Sequence, residues 1–201
     1  MRFEKGHKEQ TRQRIVETAA RRFRKEGLEA VGIAGLMADA GLTHGGFYAH
    51  FASKEHLVRA ALNEALDQNQ TRRAKALEQA PSGPEALEAL VRLYLRPAHR
   101  DTPERGCAVA TLIAEVARHE QETRAVLSAR LASLLNQIAS TLPAEMTADE
   151  KERRAIGIFG VMLGTLQMAR VVTDMALSDR ILESGLVTAL TISNAVASQQ
   201  L

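Results

Sequence analysis

The 201-residue chain is predicted to be all-α, with an N-terminal three-helix domain over residues 1–62 joined to a larger helical domain over residues 63–201. Three observations predict this. Apolar residues recur at steps of three and four along most of the chain, and no stretch shows the strict alternation of a half-buried strand. Gly27, Gly41 and the proline-containing segments 81–84 and 97–103 interrupt those runs where helices should end. Charge also divides the chain: residues 1–60 carry eleven Lys or Arg against seven Asp or Glu, or +4, and the remainder carries fifteen against seventeen, or −2. Four of the six histidines lie in the basic third, so a polyanion suits that part as a partner.

The first helix runs from Thr11 to Glu26, with Ile15, Val16, Ala19, Ala20 and Phe23 on its apolar side and Gly27 as its stop. The residues before it, including Arg2, Lys5, His7 and Lys8, read as a basic tail without fixed structure that could reach an adjacent groove. Ile33, Leu36 and Met37 mark a second, short helix ending at Gly41. Thr43 opens the third as its N-cap, and the fourth begins at Ser53, with Leu57, Ala61, Leu62 and Leu66 on its apolar side. Helix, short helix, tight glycine turn and short helix make a helix-turn-helix.

Beyond Gln70 a second helical domain follows the Pro81-Ser82-Gly83-Pro84 break. Leu87, Leu90, Val91, Leu93 and Tyr94 lie on one helix. Gly106-Cys107 begins an apolar helix that runs through Val116, and the next carries Val126, Leu127, Leu131, Leu134, Leu135 and Ile138. Two long helices close the chain, at roughly 147–173 and 178–198.

The stretch GLTHGGFYAHFASKEHL, residues 41–57, concentrates the functional signal. Glycine inside a helix costs up to about 1 kcal/mol relative to alanine, so the Gly45-Gly46 pair is a poor choice for a helix that only supports structure. A recognition helix enters the major groove by its N-terminus, where small residues let the backbone come close. Thr43 can cap this helix and also bond a phosphate, which the helix N-terminus favours. His44 is best placed to read a base edge. Phe47 and Phe51 face inward, which sends Tyr48 outward toward phosphate, and Lys54 supplies a positive charge to the backbone. Tyr48 has a second reading as part of the core beside the two phenylalanines, and Lys54 as a solvated lysine. His50 and His56 read as surface or packing residues.

Other function classes find little support. No glycine-rich phosphate loop, helix-borne His-x-x-x-His pair, cysteine cluster or nucleophile-elbow serine is present, so neither an enzyme nor a metal or other cofactor is indicated. The longest nearly uncharged apolar run, 155–169, is shorter than a membrane span. A single cysteine and the lack of a leader-like start point to the cytoplasm.

The ordered residues Thr11, Ile15, Ala19, Phe23, Gly27, Ile33, Leu36, Gly41-Leu42-Thr43, Gly46, Tyr48, Phe51, Ser53-Lys54-Glu55 and Leu57 together resemble the DNA-binding domain of the TetR family of bacterial transcriptional regulators. Two positions depart from the family pattern. Gly32 stands where Ser or Thr usually caps the second helix, so a backbone N–H replaces a side-chain contact, and Met37 stands where a small alanine is usual.

The resemblance implies a ligand-responsive repressor that binds a pseudo-palindromic operator as a homodimer. DNA contacts fall to Thr43, His44, Gly45, Gly46, Tyr48 and Lys54. It further implies a small-molecule effector in the second domain, with Tyr94, Cys107, Leu112, Phe159, Met162, Leu166 and Met168 as pocket candidates. The last two helices would form the dimer interface, through Phe159, Leu163, Leu182, Leu186 and Leu190. Only Tyr94 and Phe159 of the seven aromatic residues lie in the second domain, which favours a small or aliphatic effector over a large aromatic cation. Cys107 has two readings, a core-facing residue and a redox-sensing thiol. The alternative from another class is a helical protein-binding adaptor that carries a degenerate helix-turn-helix.

Overall fold

A computed structural model of the protein describes residues 2–78 and 82–194. Every regular element among them is helical: α1 (Arg2–Glu26), α2 (Ile33–Asp39), the 3-10 helix η1 (His44–Ala49), α3 (Lys54–Glu78), α4 (Pro84–Tyr94), α5 (Pro97–Asp101), the 3-10 turn η2 (Pro103–Arg105), α6 (Ala108–Val116), α7 (Gln121–Ala139), α8 (Ala148–Val171) and α9 (Met175–Asn194). They form two compact units, one of residues 1–70 and 103–130, the other of residues 71–102 and 131–201. Pro81 and the expected end of the last helix near residue 198 lie outside the described residues.

In the first unit α1 begins at Arg2, well before the expected start at Thr11, so the basic N-terminal segment is helical. Residues 6–10 are exposed, and a turn with no buried side leaves no apolar periodicity to read. From Thr11 onward the helix buries Ile15, Val16, Ala19, Ala20 and Phe23, and Leu36 and Met37 of α2, Phe47 of η1, and Leu57, Val58 and Leu62 of α3 are buried in the same unit. A fully buried side chain of this size contributes about 1.5–3 kcal/mol, so this cluster fixes the three-helix domain. Polar links reinforce it: Gln13 donates to Glu64 at 3.1 Å, and Arg22 lies 3.1 Å from Asp39 while holding Glu26 at 2.7 Å.

α6 belongs to the same unit, although its sequence position placed it in the second domain. Buried Asn69 of α3 donates to the Gly106 carbonyl at 3.1 Å and accepts from the Ala108 N–H at 3.1 Å, which secures the start of α6. At the other end, Glu115 accepts the Leu28 N–H at 2.7 Å. Gly27, at φ +90°, leaves room for that carboxylate; a Cβ there would sit 2.9 Å from it.

In the second unit, Gly83 at φ +74° precedes Pro84, whose ring suits the first turn of α4. Leu87, Leu90, Val91 and Tyr94 of α4 are buried, as are Ile158, Phe159, Met162 and Leu166 of α8 and Leu182 and Ala189 of α9. Thr147 caps α8 by accepting the Glu150 N–H at 3.2 Å. Helices α8 and α9 lie so close that a Cβ on Gly185 would fall 2.3 Å from Thr165. Arg154 of α8 donates to the carbonyls of Ile192 and Ser193, and Arg100 lies 2.6 Å from Asp179. The Pro97–Pro103 segment, expected as a break, folds into the short α5 followed by η2.

Candidate nucleic-acid interface

The turn between α2 and η1 is built by Gly41. At φ +69° it reverses the chain, with its N–H bonded to the Ala38 carbonyl at 2.9 Å and that of Leu42 to Met37 at 2.9 Å. Thr43 follows in extended conformation and stands at the N-cap of η1, but its hydroxyl makes no capping bond. That corrects the expected side-chain cap. The cause is the 3-10 winding: the Gly46 N–H is taken by the Thr43 carbonyl at 3.1 Å, and the hydroxyl stays at the exposed end of the helix.

The two glycines of η1 have no internal explanation. Neither has a positive φ. A Cβ on Gly45 would meet nothing within 4 Å, and one on Gly46 would make ordinary contacts with Met37 at 3.7 Å and Thr43 at 3.8 Å. Met37, larger than the residue usual there, packs beneath Gly46 and is fully buried.

Phe47 and Phe51 are buried and stack at 5.7 Å, as their spacing implied. Tyr48 is 65% exposed, with its ring edge-on to Phe47 at 5.2 Å, which rules out the core reading. His44 and Gly45 are exposed on the same short helix. Lys54 is half-buried at the first residue of α3, whose N-terminus is capped by Ser53 accepting the His56 N–H at 3.2 Å. Thr43, His44, Gly45, Gly46, Tyr48 and Lys54 thus fall on or beside η1 and the start of α3.

Two neighbours of this surface left no signal in the local sequence. The Arg12 guanidinium lies over the Phe51 ring at 4.9 Å and pins α1 to the end of η1. His50 has a half-buried ring whose buried Nδ1 has no hydrogen-bond partner. Burial, followed by the charges of Lys8 and Arg12, pushes its pKa below the usual histidine value, against a smaller opposing effect of Glu9. The Arg12–Phe51 contact joins α1 to the end of η1, and the charges of α1 act on His50, across some forty residues of chain, which no periodicity can reveal.

The expected effector residues fall into two sets. Cys107, buried at the N-cap of α6, and Leu112 belong to the first unit. Tyr94, Phe159, Met162 and Leu166 are buried in the second, where Tyr94 meets Phe159 edge-on at 5.9 Å and His99 at 4.7 Å. His99 Nδ1 lies 2.7 Å from the Tyr94 carbonyl, and burial lowers the pKa of the ring to about 4. Met168 instead is 53% exposed.

The expected dimer residues divide as well. Phe159 and Leu182 are buried inside the protomer, so they are removed from any outer surface, while Leu163, Leu186 and Leu190 are half-buried. The exposed apolar surface comes from other side chains: Ile156, Met168, Val171, Met175, Leu177 and Val187, all on α8 and α9. Between these helices runs an open groove of about 790 Å³, whose lining includes Gly157, Gly160, Gly164 and Gly185. Among the described residues no helix is long and apolar enough to cross a membrane.

Residues 15–61 match the family described as bacterial regulatory proteins, tetR family, and residues 83–184 match the tetracyclin repressor-like C-terminal domain. No curated protein matches the chain significantly. Similar solved structures include a TetR transcriptional regulator from Chloroflexus aurantiacus J-10-FL, at 23% identity and TM-score 0.75 over 95% of this chain and 96% of that one. A TetR-family regulator from Cytophaga hutchinsonii is 18% identical at TM-score 0.79, covering 94% and 98%. The reduced form of E. coli NemR is 18% identical at TM-score 0.72, covering 96% and 100%.

Proposed function

The chain belongs to the TetR family of bacterial regulatory proteins, and from that premise we propose that it is a ligand-responsive transcriptional repressor which binds a pseudo-palindromic operator as a homodimer. The observation that carries this reading is η1 itself, with exposed His44 and Tyr48 beside two glycines that neither backbone conformation nor internal packing requires. Glycine there serves a body that approaches from outside. Gly45 and Gly46 bring the backbone to the groove, His44 meets a base edge, and Thr43, Tyr48 and Lys54 hold phosphates.

The apolar outer face of α8 and α9 supports the dimer. Among the described residues, six of the seven exposed large hydrophobic side chains lie on these two helices, a surface suited to burial against a partner. Gly160 and Gly164 on the lining of the groove, where a Cβ would meet nothing within the protomer, let a second helix pair approach closely. Two recognition elements would then occupy successive major grooves about one helical turn apart. A small or aliphatic effector bound among the buried residues around Tyr94, Phe159, Met162 and Leu166 would favour a spacing that no longer fits the operator, a coupling of about 1–3 kcal/mol.

A mobility shift on duplex DNA tests this reading. Binding should weaken steeply with salt, Lys54→Ala should reduce affinity for all duplexes alike, and His44→Ala should change the preferred sequence. A protein that ignores duplex DNA at low salt would instead be the helical adaptor.

A further inference from the structure

The start of α3 is tied to the turn that follows α6. His119 Nδ1 lies 3.0 and 3.2 Å from the two Glu55 carboxylate oxygens, and the Thr123 hydroxyl of α7 donates to Glu55 Oε1. On its other side His119 Nε2 lies 3.8 Å from Glu29, which follows the end of α1. Thr123 is fully buried, and the side chains of His119 and Glu55 are only 13% and 21% exposed. The Glu55 carboxyl is held below its ordinary pKa. Burial opposes this, but the hydrogen bonds from Thr123 and His119, with the electrostatic influence of His119 and Arg59, outweigh it.

One helical turn before His119, Glu115 accepts the Leu28 N–H, so residues 115 and 119 grip both the α1–α2 turn and the first turn of α3. Arg59, one turn further along α3, lies 3.5 Å from Glu120. A half-buried carboxylate held by two donors from a different element is an expensive way to begin a helix that Ser53 already caps. Glu55 directly follows Lys54, so whatever fixes the one orients the other.

We infer that His119 and Thr123 are positioning residues for DNA binding: through Glu55 they fix the first turn of α3, and with it the place from which Lys54 reaches a phosphate. The inference rests on the reading of Lys54 as a phosphate contact. It makes the α6–α7 turn part of the DNA-binding machinery.

The test uses the full chain and a duplex that the wild type binds, with affinity measured over a range of salt for Lys54→Ala, His119→Ala and the double variant. His119→Ala should weaken binding about threefold to tenfold and lower the magnitude of the salt slope by about 1, as Lys54→Ala does. Because His119 acts through Lys54, the double variant should bind no more weakly than Lys54→Ala. His119→Gln, which can still donate to Glu55, should restore most of the affinity. Should His119→Ala fail to fold, Thr123→Val removes the other donor at nearly constant volume and should give the same pattern. Additive losses, or an unchanged salt slope, overturn the inference alone. If Lys54→Ala binds as the wild type does, the phosphate reading fails and the inference with it.

Discussion

Replacing Gly45 by alanine should move stability and DNA affinity in opposite directions. The position has no positive φ, and the added Cβ would meet no atom of the protein within 4 Å. Alanine therefore fits without strain and reduces the freedom of the unfolded chain, which should raise stability by about 0.4–1 kcal/mol. Against DNA the same methyl group occupies the space where backbone and groove wall are proposed to meet. Crowding a close-packed contact by one methyl costs about 1–3 kcal/mol, or about fivefold to 150-fold in Kd. Thermal melting of the free protein and fluorescence anisotropy on a bound duplex give both quantities from one preparation. Gly46→Ala is the companion variant, because its Cβ would make only ordinary contacts with Met37 at 3.7 Å and Thr43 at 3.8 Å and so should be accommodated in the free protein as well. If Gly45→Ala raises the melting temperature yet binds DNA as tightly as the wild type, the glycine is not there for the groove and the placement of η1 is wrong.

Three further outcomes are expected. Gly164→Arg places a charge in the α8–α9 groove at a position where a Cβ meets nothing within the protomer, so the variant should fold, sediment as a monomer and lose operator binding; a dimer would move the interface elsewhere. His99, with a pKa of about 4 against an ordinary 6.5, is held neutral by burial, which outweighs the opposing hydrogen bond with the Tyr94 carbonyl and is helped by the charges of Arg170, Arg96 and Arg72, so its contribution is present above pH 6.5 and lost as pH falls toward 4. The unfolded chain binds the extra proton in that window, for a loss of about 3 kcal/mol, and the wild type should lose that much more than His99→Leu when the melts are repeated from pH 7 to pH 4. Cys107 is buried at the N-cap of α6, so Cys107→Ser should lower the melting temperature and leave effector-driven release from DNA intact; loss of an oxidant response alone would assign it to sensing.

Periodicity exposed the helices wherever one side is buried, as for Ile15, Ala19 and Phe23 of α1, and was silent over residues 6–10, where every side faces water. Phe47, Tyr48 and Phe51 were legible because two large rings four residues apart on a short element must turn the third aromatic outward. Thr43 was misread as a side-chain cap because sequence does not distinguish an α-helix from a 3-10 helix, in which the Gly46 N–H is already used. The place of α6 could not be read at all. Asn69, Glu115 and His119 join it to the helix-turn-helix through hydrogen bonds that span 37–87 residues of chain, and none leaves a local pattern. On α8 and α9 the apolar residues were visible but not their direction: these helices are apolar on more than one side, so Phe159 and Leu182 faced inward while Ile156 and Val187 faced out.

The central claim is that η1 reads operator DNA as one of a symmetric pair. Sequencing the genomic fragments retained by the purified protein, with the region upstream of its own gene included, and footprinting the best of them tests that claim most directly. The account predicts one enriched inverted repeat, two protected half-sites centred about one helical turn apart, and a changed repeat when His44→Ala is used in the same selection. Retention of duplexes without sequence preference, or a single protected half-site that His44→Ala leaves unchanged, would contradict it.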